Sequence, residues 1–289
     1  TSCEKAIFSD DETTGEPEGN LRVSVYQIEQ TDFASLTRGS EMQGSETRAG
    51  LTRASVTDYC NRLNFAVYEM DGSRVKQVNQ TSDKTGFGTA SFSLEEGEYQ
   101  LLVLAHSSNG NPTMTNPQKI QFSNSLGYSD TFLYYTTVTV TEEHQTLSVS
   151  LERIVSMCRF VINDAIPSEV SKLEFYYTGG SGTFSAATGL GNVNSKQKMT
   201  FSVTAGQSGT AYDLYTFLHQ QDDDITLTVT AYDGADNMQY EREFDVPMTR
   251  RKITRLSGDF FTGEPGSSGD VGVAISISGD WDGQTDVTY

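Results

Sequence analysis

Alternation of apolar and polar residues with a period of two is the feature that most constrains how this chain folds. It is clear in two early segments, Leu21–Tyr26 and Leu63–Tyr68, and it returns at short intervals along the chain. Because successive side chains of a β-strand point to opposite faces of a sheet, this pattern predicts strands with one buried face. Helical periodicity is almost absent, with one short helical turn predicted at Pro167–Val170. The sequence therefore predicts an all-β fold.

Further strands are predicted wherever the alternation is bounded by turn-forming residues. Short strands at regular spacing are typical of sandwiches and barrels. In the first half they are Phe87–Leu94, Tyr99–Ala105, and a hairpin of Thr136–Val140 with Thr146–Leu151. In the second half they are Arg153–Ile162, Lys172–Tyr177, Lys198–Val203, Tyr212–Phe217, Ile225–Tyr232, Tyr240–Val246, Ile253–Phe261 and Val271–Ser278.

The length of the chain and a restart of the strand pattern indicate two domains. A chain of 289 residues can bury two separate cores. The pattern restarts near residue 152 without a Pro-rich or Gly-rich linker. We therefore predict two tandem antiparallel β-sandwich domains, joined by an interface with limited hinge freedom. Their predicted bounds are an acidic tether at 1–19, an N-terminal sandwich at 20–152 and a C-terminal sandwich at 153–289.

One segment, 31–58, interrupts the strand pattern. It carries Arg38, Arg48 and Arg53 among small and polar residues. Connections of this length without regular structure are uncommon in compact domains and are often functional or cleavable. Without other evidence, we favour the interpretation of a mobile surface insertion without a function of its own.

The third residue, Cys3, follows two small polar residues and precedes an acidic stretch. This arrangement resembles the end of a bacterial lipobox, in which the cysteine is acylated. It predicts lipid attachment at Cys3 and a tether to a membrane surface. The alternative is an ordinary thiol. For Cys60 and Cys158, which lie beside apolar residues, we favour two buried free thiols over a disulfide.

The charge of the chain excludes one class of partner. The formal net charge is −19 at pH 7, and the nearest approach to a basic cluster is Arg250–Lys252 with Arg255. Nucleic acid is therefore not expected as a partner, because phosphate binding needs a concentrated cationic face. No stretch approaches the ~18 apolar residues that a membrane-spanning helix needs.

Signatures of catalysis and of cofactor binding are missing from the sequence. The three histidines, His106, His144 and His219, are far apart and form no triad-like or metal-binding motif. The segment Gly179–Gly182 is interpreted as a flexible turn and not as a phosphate-binding loop. We therefore expect no enzyme activity, no metal and no cofactor.

Two acidic turns and the single tryptophan allow more than one interpretation. Asp222–Asp224 and Asp233–Asn237 contain oxygen ligands suited to Ca²⁺, but these residue types are also the commonest turn formers, which we favour. Trp281 could stack on a sugar ring or cover the end of a sheet. The polar tail beyond Trp281 favours packing of Val271–Ser278 on its own domain, followed by a short solvated end.

Several segments together resemble the fimbrillin superfamily of Bacteroidales, in particular the FimB and Mfa-type fimbrial anchor and minor subunit proteins. The resemblance extends over nearly the whole chain. It lies in Cys3, in Phe65–Gly72 followed by Leu94–Tyr99, in Leu151–Ser156 and in Thr254–Phe260.

The resemblance implies two transthyretin-like β-sandwich domains and a structural or adhesive role in a fimbria at the cell outer membrane. The implied partners are other fimbrial subunits, the outer membrane through the lipid on Cys3, and a host or bacterial surface receptor. In stalk subunits of this family, an arginine-specific protease cuts a loop after the first strand, and a strand of the neighbouring subunit fills the groove. Arg48 and Arg53 are the matching candidate cut positions. Anchor-type members keep the first strand, so both roles stay open, and a surface glycan-binding lipoprotein is the alternative function.

Overall fold

The computed structural model describes residues 19–28, 56–262, 281 and 284–288, and their regular structure is almost entirely β-strand. The predicted all-β fold is confirmed. A 3-10 turn occurs at Val56–Asp58, within the segment predicted as an irregular loop. The helical turn predicted at Pro167–Val170 is a hydrogen-bonded turn, in which the Val170 N–H donates to the Pro167 carbonyl (3.1 Å). Within these residues, no helix has the length and apolar character needed to cross a membrane.

Nine described strands make up the N-terminal half. They are β1 (Leu21–Ile28), β2 (Arg62–Tyr68), β3 (Arg74–Thr81), β4 (Thr89–Phe92), β5 (Gly97–His106), β6 (Thr113–Asn116), β7 (Lys119–Gln121), β8 (Thr131–Val140) and β9 (Gln145–Arg153).

Nine described strands make up the C-terminal half. They are β10 (Ser156–Ile162), β11 (Lys172–Thr178), β12 (Thr183–Phe184), β13 (Gln197–Ser202), β14 (Thr210–Thr216), β15 (Asp222–Tyr232), β16 (Met238–Thr249), β17 (Ile253–Gly258) and β18 (Gln284–Thr288).

In the N-terminal half, strands in the order β3-β2-β5-β8 face strands in the order β9-β1-β4. The two layers share one apolar core, to which Val23, Phe65, Val103 and Val149 contribute fully buried side chains. Strands β8 and β9 follow one another in the chain but pair only at two positions far from their connection. The predicted hairpin ladder is therefore largely absent, because the two strands enter opposite layers.

The C-terminal half repeats this arrangement. Strands β13-β11-β15-β16 face strands β14-β10-β17-β18, and the core between them includes Phe160, Phe175 and Val229. The order β14-β10-β17 matches β4-β1-β9, and the order β13-β11-β15-β16 matches β3-β2-β5-β8. The first strand of each half thus pairs with a strand near the end of that half: β1 with β9, and β10 with β17.

Three of the strand pairings are parallel, which differs from the purely antiparallel sandwiches predicted. They join β1 to β9, β10 to β17, and β17 to β18. Parallel neighbours need a long connection. Most of a half lies between β1 and β9 and between β10 and β17, whereas residues 259–283 separate β17 from β18. Alternation of residues within one strand carries no information about the direction of its neighbour.

A third apolar cluster lies between the halves. It includes Tyr68, Leu104 and Phe122 from the first half, and Phe184 and Phe217 from the second. A small sheet also crosses the boundary, because β12 pairs with β7. These contacts leave little freedom for a hinge. The exact division at residues 152 and 153 stays a prediction.

The two described cysteines agree with the sequence interpretation. Cys60 and Cys158 are both buried and free. Burial raises the pKa of the Cys158 thiol to about 12, so it stays protonated. Two buried, protonated thiols are inert packing groups.

The C-terminal tail differs from its prediction. In place of a solvated end beyond Trp281, residues 284–288 form β18, and Val287 is only 7% exposed in the C-terminal core. Polar residues dominate this strand, so sequence alternation did not reveal it. The predicted strand Val271–Ser278 lies outside the described residues.

The segment Gly179–Gly182 was predicted to be flexible, and this prediction was wrong. Ser181 is fully buried, and it exchanges two backbone hydrogen bonds with Phe217 (3.0 and 3.1 Å). A Cβ at Gly180 would clash with the Thr216 hydroxyl. The absence of a side chain at Gly180 allows this segment to pack directly against Thr216.

Candidate functional site

The first strand, β1, is an interior strand of its layer. On one side it pairs in parallel with β9, from Leu21 opposite Gln145 to Ile28 opposite Leu151. On the other side it pairs antiparallel with β4, from Leu21 opposite Phe92 to Ser24 opposite Thr89. Removing β1 would leave two unpaired edges facing each other. Unpaired edges are templates for the addition of another strand.

Two side chains of β1 fill the N-terminal core. Leu21 and Val23 are 2% and 0% exposed, and they share this core with Ala90, Phe92 and Val149. Full burial of an aliphatic side chain stabilises a fold by roughly 1.5 to 3 kcal/mol. A strand that replaced β1 would have to present apolar residues at these alternate positions.

The start of β1 is fixed by Gly19 and Asn20. The Asn20 amide donates to the carbonyls of Leu94 (2.9 Å) and Thr141 (3.1 Å), and its side-chain oxygen accepts from the Leu94 N–H (2.9 Å). The Asn20 carbonyl accepts from the Gln145 N–H (2.8 Å). A Cβ at Gly19 would clash with the Phe92 carbonyl. These contacts set the register in which β1 enters the sheet.

The predicted site residues flank β1 in the sequence but are not brought to it by the described structure. Cys3 precedes β1, and Arg48 and Arg53 follow it, and all three lie outside the described residues. The chain is next described at Val56, which is 8% exposed and packs in the same core as β1. The candidate cut positions therefore lie in sequence between two segments that are anchored in one core.

A buried polar network lies on β2 and β5, and sequence reasoning missed it. The His106 Nδ1 atom accepts from the Ser108 N–H (3.2 Å), so its Nε2–H donates to the Asn64 side-chain oxygen (2.8 Å). The Asn64 amide then donates to the side-chain oxygens of Asn79 (2.8 Å) and Asn111 (2.9 Å). Burial, aided by the nearby Arg62, lowers the pKa of His106 to about 3. His106 is thus a neutral structural group at physiological pH.

Trp281 covers the boundary between the halves and is not available for a sugar. It is 8% exposed, and the Arg153 guanidinium lies 4.0 Å from its ring centroid. The same guanidinium also lies 4.7 Å from the centroid of the Phe132 ring. The carboxylate of Asp130 accepts two hydrogen bonds from Arg153 (2.8 and 2.6 Å). The Arg153 side chain therefore connects β8, β9 and the C-terminal segment through its contacts with these rings and with Asp130.

The acidic turn at Asp233–Asn237 has the structure of a capped turn. The Asp233 carboxylate accepts from the backbone N–H groups of Ala235 (2.8 Å) and Asn237 (2.9 Å). These bonds lower the pKa of Asp233, with the Asn237 contacts as the largest cause. Over the described part of the chain, no group of three or more His, Cys, Asp and Glu side chains could hold a metal ion.

The fold and the setting of β1 define an all-β protein of two sandwich-like halves whose first strand is interior to its sheet. The chain belongs to a family of unknown function, DUF6562, whose model matches residues 18–289. The family carries no assigned activity. No curated protein sequence matches the chain.

Several solved structures are similar to this chain at low identity. A candidate adhesin of Bacteroides ovatus has 15% identity and a TM-score of 0.45, over 85% of this chain and 87% of that one. The fimbrial anchor protein Mfa2 of Porphyromonas gingivalis has 11% identity and a TM-score of 0.41, over 76% and 80%. Candidate polysaccharide-binding proteins of Bacteroides thetaiotaomicron have 12% identity and a TM-score of 0.44, over 76% and 78%. Adhesins and fimbrial anchors are the kinds of protein that the sequence resembles, but at these scores the likeness assigns no function.

Proposed function

We propose that this protein is a structural, non-enzymatic subunit or membrane anchor of a cell-surface fimbria. In this role it assembles with other fimbrial subunits by β-strand addition and contributes to adhesion. The observation that carries the proposal is the position of β1, which lies between β9 and β4. An N-terminal strand in this position can be retained, which closes the sheet, or replaced by a strand of a neighbouring subunit.

The sequence on either side of β1 supports both forms of this role. Acylation of Cys3 on an uncut chain would hold β1 in place and tether the protein to the outer membrane, as in an anchor. Cleavage after Arg48 or Arg53 would separate β1 from the rest of the chain, because both arginines follow Ile28 and precede Val56. The cleaved chain would then accept a foreign strand, as in a stalk subunit.

An aromatic platform for glycans receives no support. The large hydrophobic side chains that are exposed in the described residues are Met70, Val193 and Met238, and none of them is aromatic. Trp281 is buried against Arg153. Over the described residues, a glycan site would therefore rely on hydrogen bonds or on half-buried rings such as those of Tyr134 and Tyr176.

Limited proteolysis tests the exchange role. An arginine-specific protease under native conditions is expected to cut after Arg48 or Arg53 while the two sandwich-like halves stay intact, and the cut chain is expected to form oligomers on size-exclusion chromatography. The triple variant Arg38→Lys/Arg48→Lys/Arg53→Lys is the control, because Arg38 lies in the same segment, and it should stay uncut there and monomeric. A cut chain that never oligomerises would contradict a stalk role.

Membrane fractionation tests the anchor role. A Cys3→Ala substitution in the full-length precursor removes the thiol that would carry the lipid, so the protein is expected to leave the membrane fraction. A Cys60→Ala substitution is the matched control, because it removes a buried thiol and should leave membrane retention unchanged. Retention of the Cys3→Ala protein in the membrane would rule out this anchor.

A further inference from the structure

A polar cleft of about 560 Å³ lies at one end of the C-terminal half. Its walls come from three connections: Gly179 after β11, Asn192 and Asn194 between β12 and β13, and the chain that leads into β15. The cleft is shallow and open to solvent, and Asn194, Gln220 and Asp224 are exposed, so it would contact one face of a ligand. Loops at the end of a rigid sandwich are also a common place for binding residues.

The walls of the cleft are held together by the protein itself. The Gly191 N–H donates to the Leu218 carbonyl (2.8 Å), which joins two of the connections. The Asn192 amide donates to the Gln118 carbonyl of the N-terminal half (2.6 Å). Gly179 has a φ of +90°, and a Cβ there would clash with the Asp224 carbonyl. The backbone around the cleft is therefore preformed, which limits the entropy loss on binding to the ordering of exposed side chains.

The side chains in the cleft are planar hydrogen-bonding groups. Asn194 and Gln220 make no side-chain hydrogen bond with any described residue, so their amides can donate to and accept from a ligand. Asp223 lies beside His219, with Oδ2 3.5 Å from Nδ1, and Asp224 adds a second carboxylate. Neither lysine nor arginine lines the cleft.

This donor set points to a neutral ligand rich in hydroxyl groups. Carboxylates and amides together match hydroxyls, each of which both donates and accepts a hydrogen bond. Two carboxylates with no lysine or arginine in the lining disfavour an anion. A metal ion is not indicated, because the described residues hold no cluster of metal-binding side chains that could bind one.

We propose that this cleft binds a neutral carbohydrate unit, held by hydrogen bonds from Asn194, Gln220 and Asp223. Aromatic stacking plays no part in the site, so affinity for a single sugar unit is expected to be near the millimolar range. The site is independent of β1. It would supply ligand binding to the proposed adhesive protein whether or not β1 is exchanged.

Saturation-transfer NMR with four separate neutral probes tests the site: glucose, galactose, mannose and N-acetylglucosamine. At least one probe is expected to give a saturable signal. The variant Asn194→Ala/Gln220→Ala removes two side chains that make no internal hydrogen bond, so folding is unaffected. Its affinity is expected to fall about tenfold or more, since each lost hydrogen bond costs about 1 kcal/mol.

The matched control is Asn163→Ala, which removes an exposed asparagine outside the cleft and should leave the signal unchanged. Glucuronate serves as the anionic comparison and should bind more weakly than glucose. The proposal is overturned if no probe gives a saturable signal, if the double variant binds as well as the original protein, or if glucuronate binds better than the neutral sugars.

Discussion

A Val23→Asp substitution is expected to lower the free energy of unfolding of the N-terminal half by about 4 to 5 kcal/mol. Val23 is fully buried at the centre of β1, and its neighbours in the core are apolar. A carboxylate at this position would lose its hydration without gaining a partner. The same substitution removes the apolar contacts by which β1 fills the space between β9 and β4.

Urea unfolding followed by circular dichroism measures this loss. The matched control is Ser91→Asp, which adds the same charge to the exposed face of the neighbouring strand β4. That control should change the free energy of unfolding by less than about 0.5 kcal/mol. Equal and small effects of both substitutions would mean that β1 contributes little to the core, and the account of β1 would be wrong.

The stability of the N-terminal half is expected to fall as the pH is lowered from about 6.5 towards about 3, because of His106. In the folded protein burial lowers the pKa of His106 from 6.5 to about 3, so the folded state stays neutral while the unfolded state takes up a proton. The unfolded state then binds more protons, and stability decreases as the pH falls. One such group contributes a slope of at most about 1.4 kcal/mol per pH unit. Above pH 6.5 both states are neutral and this contribution is constant.

Urea unfolding at a series of pH values isolates the contribution of His106. A His106→Gln substitution removes the titrating group, so the slope between pH 6 and 4 should be about 1 kcal/mol per pH unit shallower than in the original protein. His144→Gln, which removes an exposed histidine, is the matched control and should keep the original slope. An unchanged slope in His106→Gln would show that acid destabilisation comes from other groups.

Sequence alternation located most strands because it depends on neighbours in the chain. Leu21–Tyr26 was recognised as a strand for this reason, and the structure extends it to Ile28. Edge strand β3 was missed, because its residues are exposed or half-buried and show no regular alternation. Short strands such as β12 were missed because they depend on pairing with distant residues.

The properties that make β1 a candidate site come from contacts between distant parts of the chain. The pairing of Leu21 with Gln145 and with Phe92 sets its interior position. Asn20 fixes its entry through bonds to Leu94 and Thr141, which no local motif reveals. His106 is buried for a similar reason, since its partner Asn64 lies on another strand.

Exchange of β1 is the central claim, and native mass spectrometry tests it most directly. Protein cut after Arg48 or Arg53 is incubated with an isotope-labelled peptide of residues 19–28, and with the same peptide carrying Val23→Asp as a control. The account predicts that one labelled peptide replaces the original segment in each chain, and that the control peptide does not bind. A cut chain that keeps its own first segment throughout, or loses it and binds neither peptide, would contradict the account.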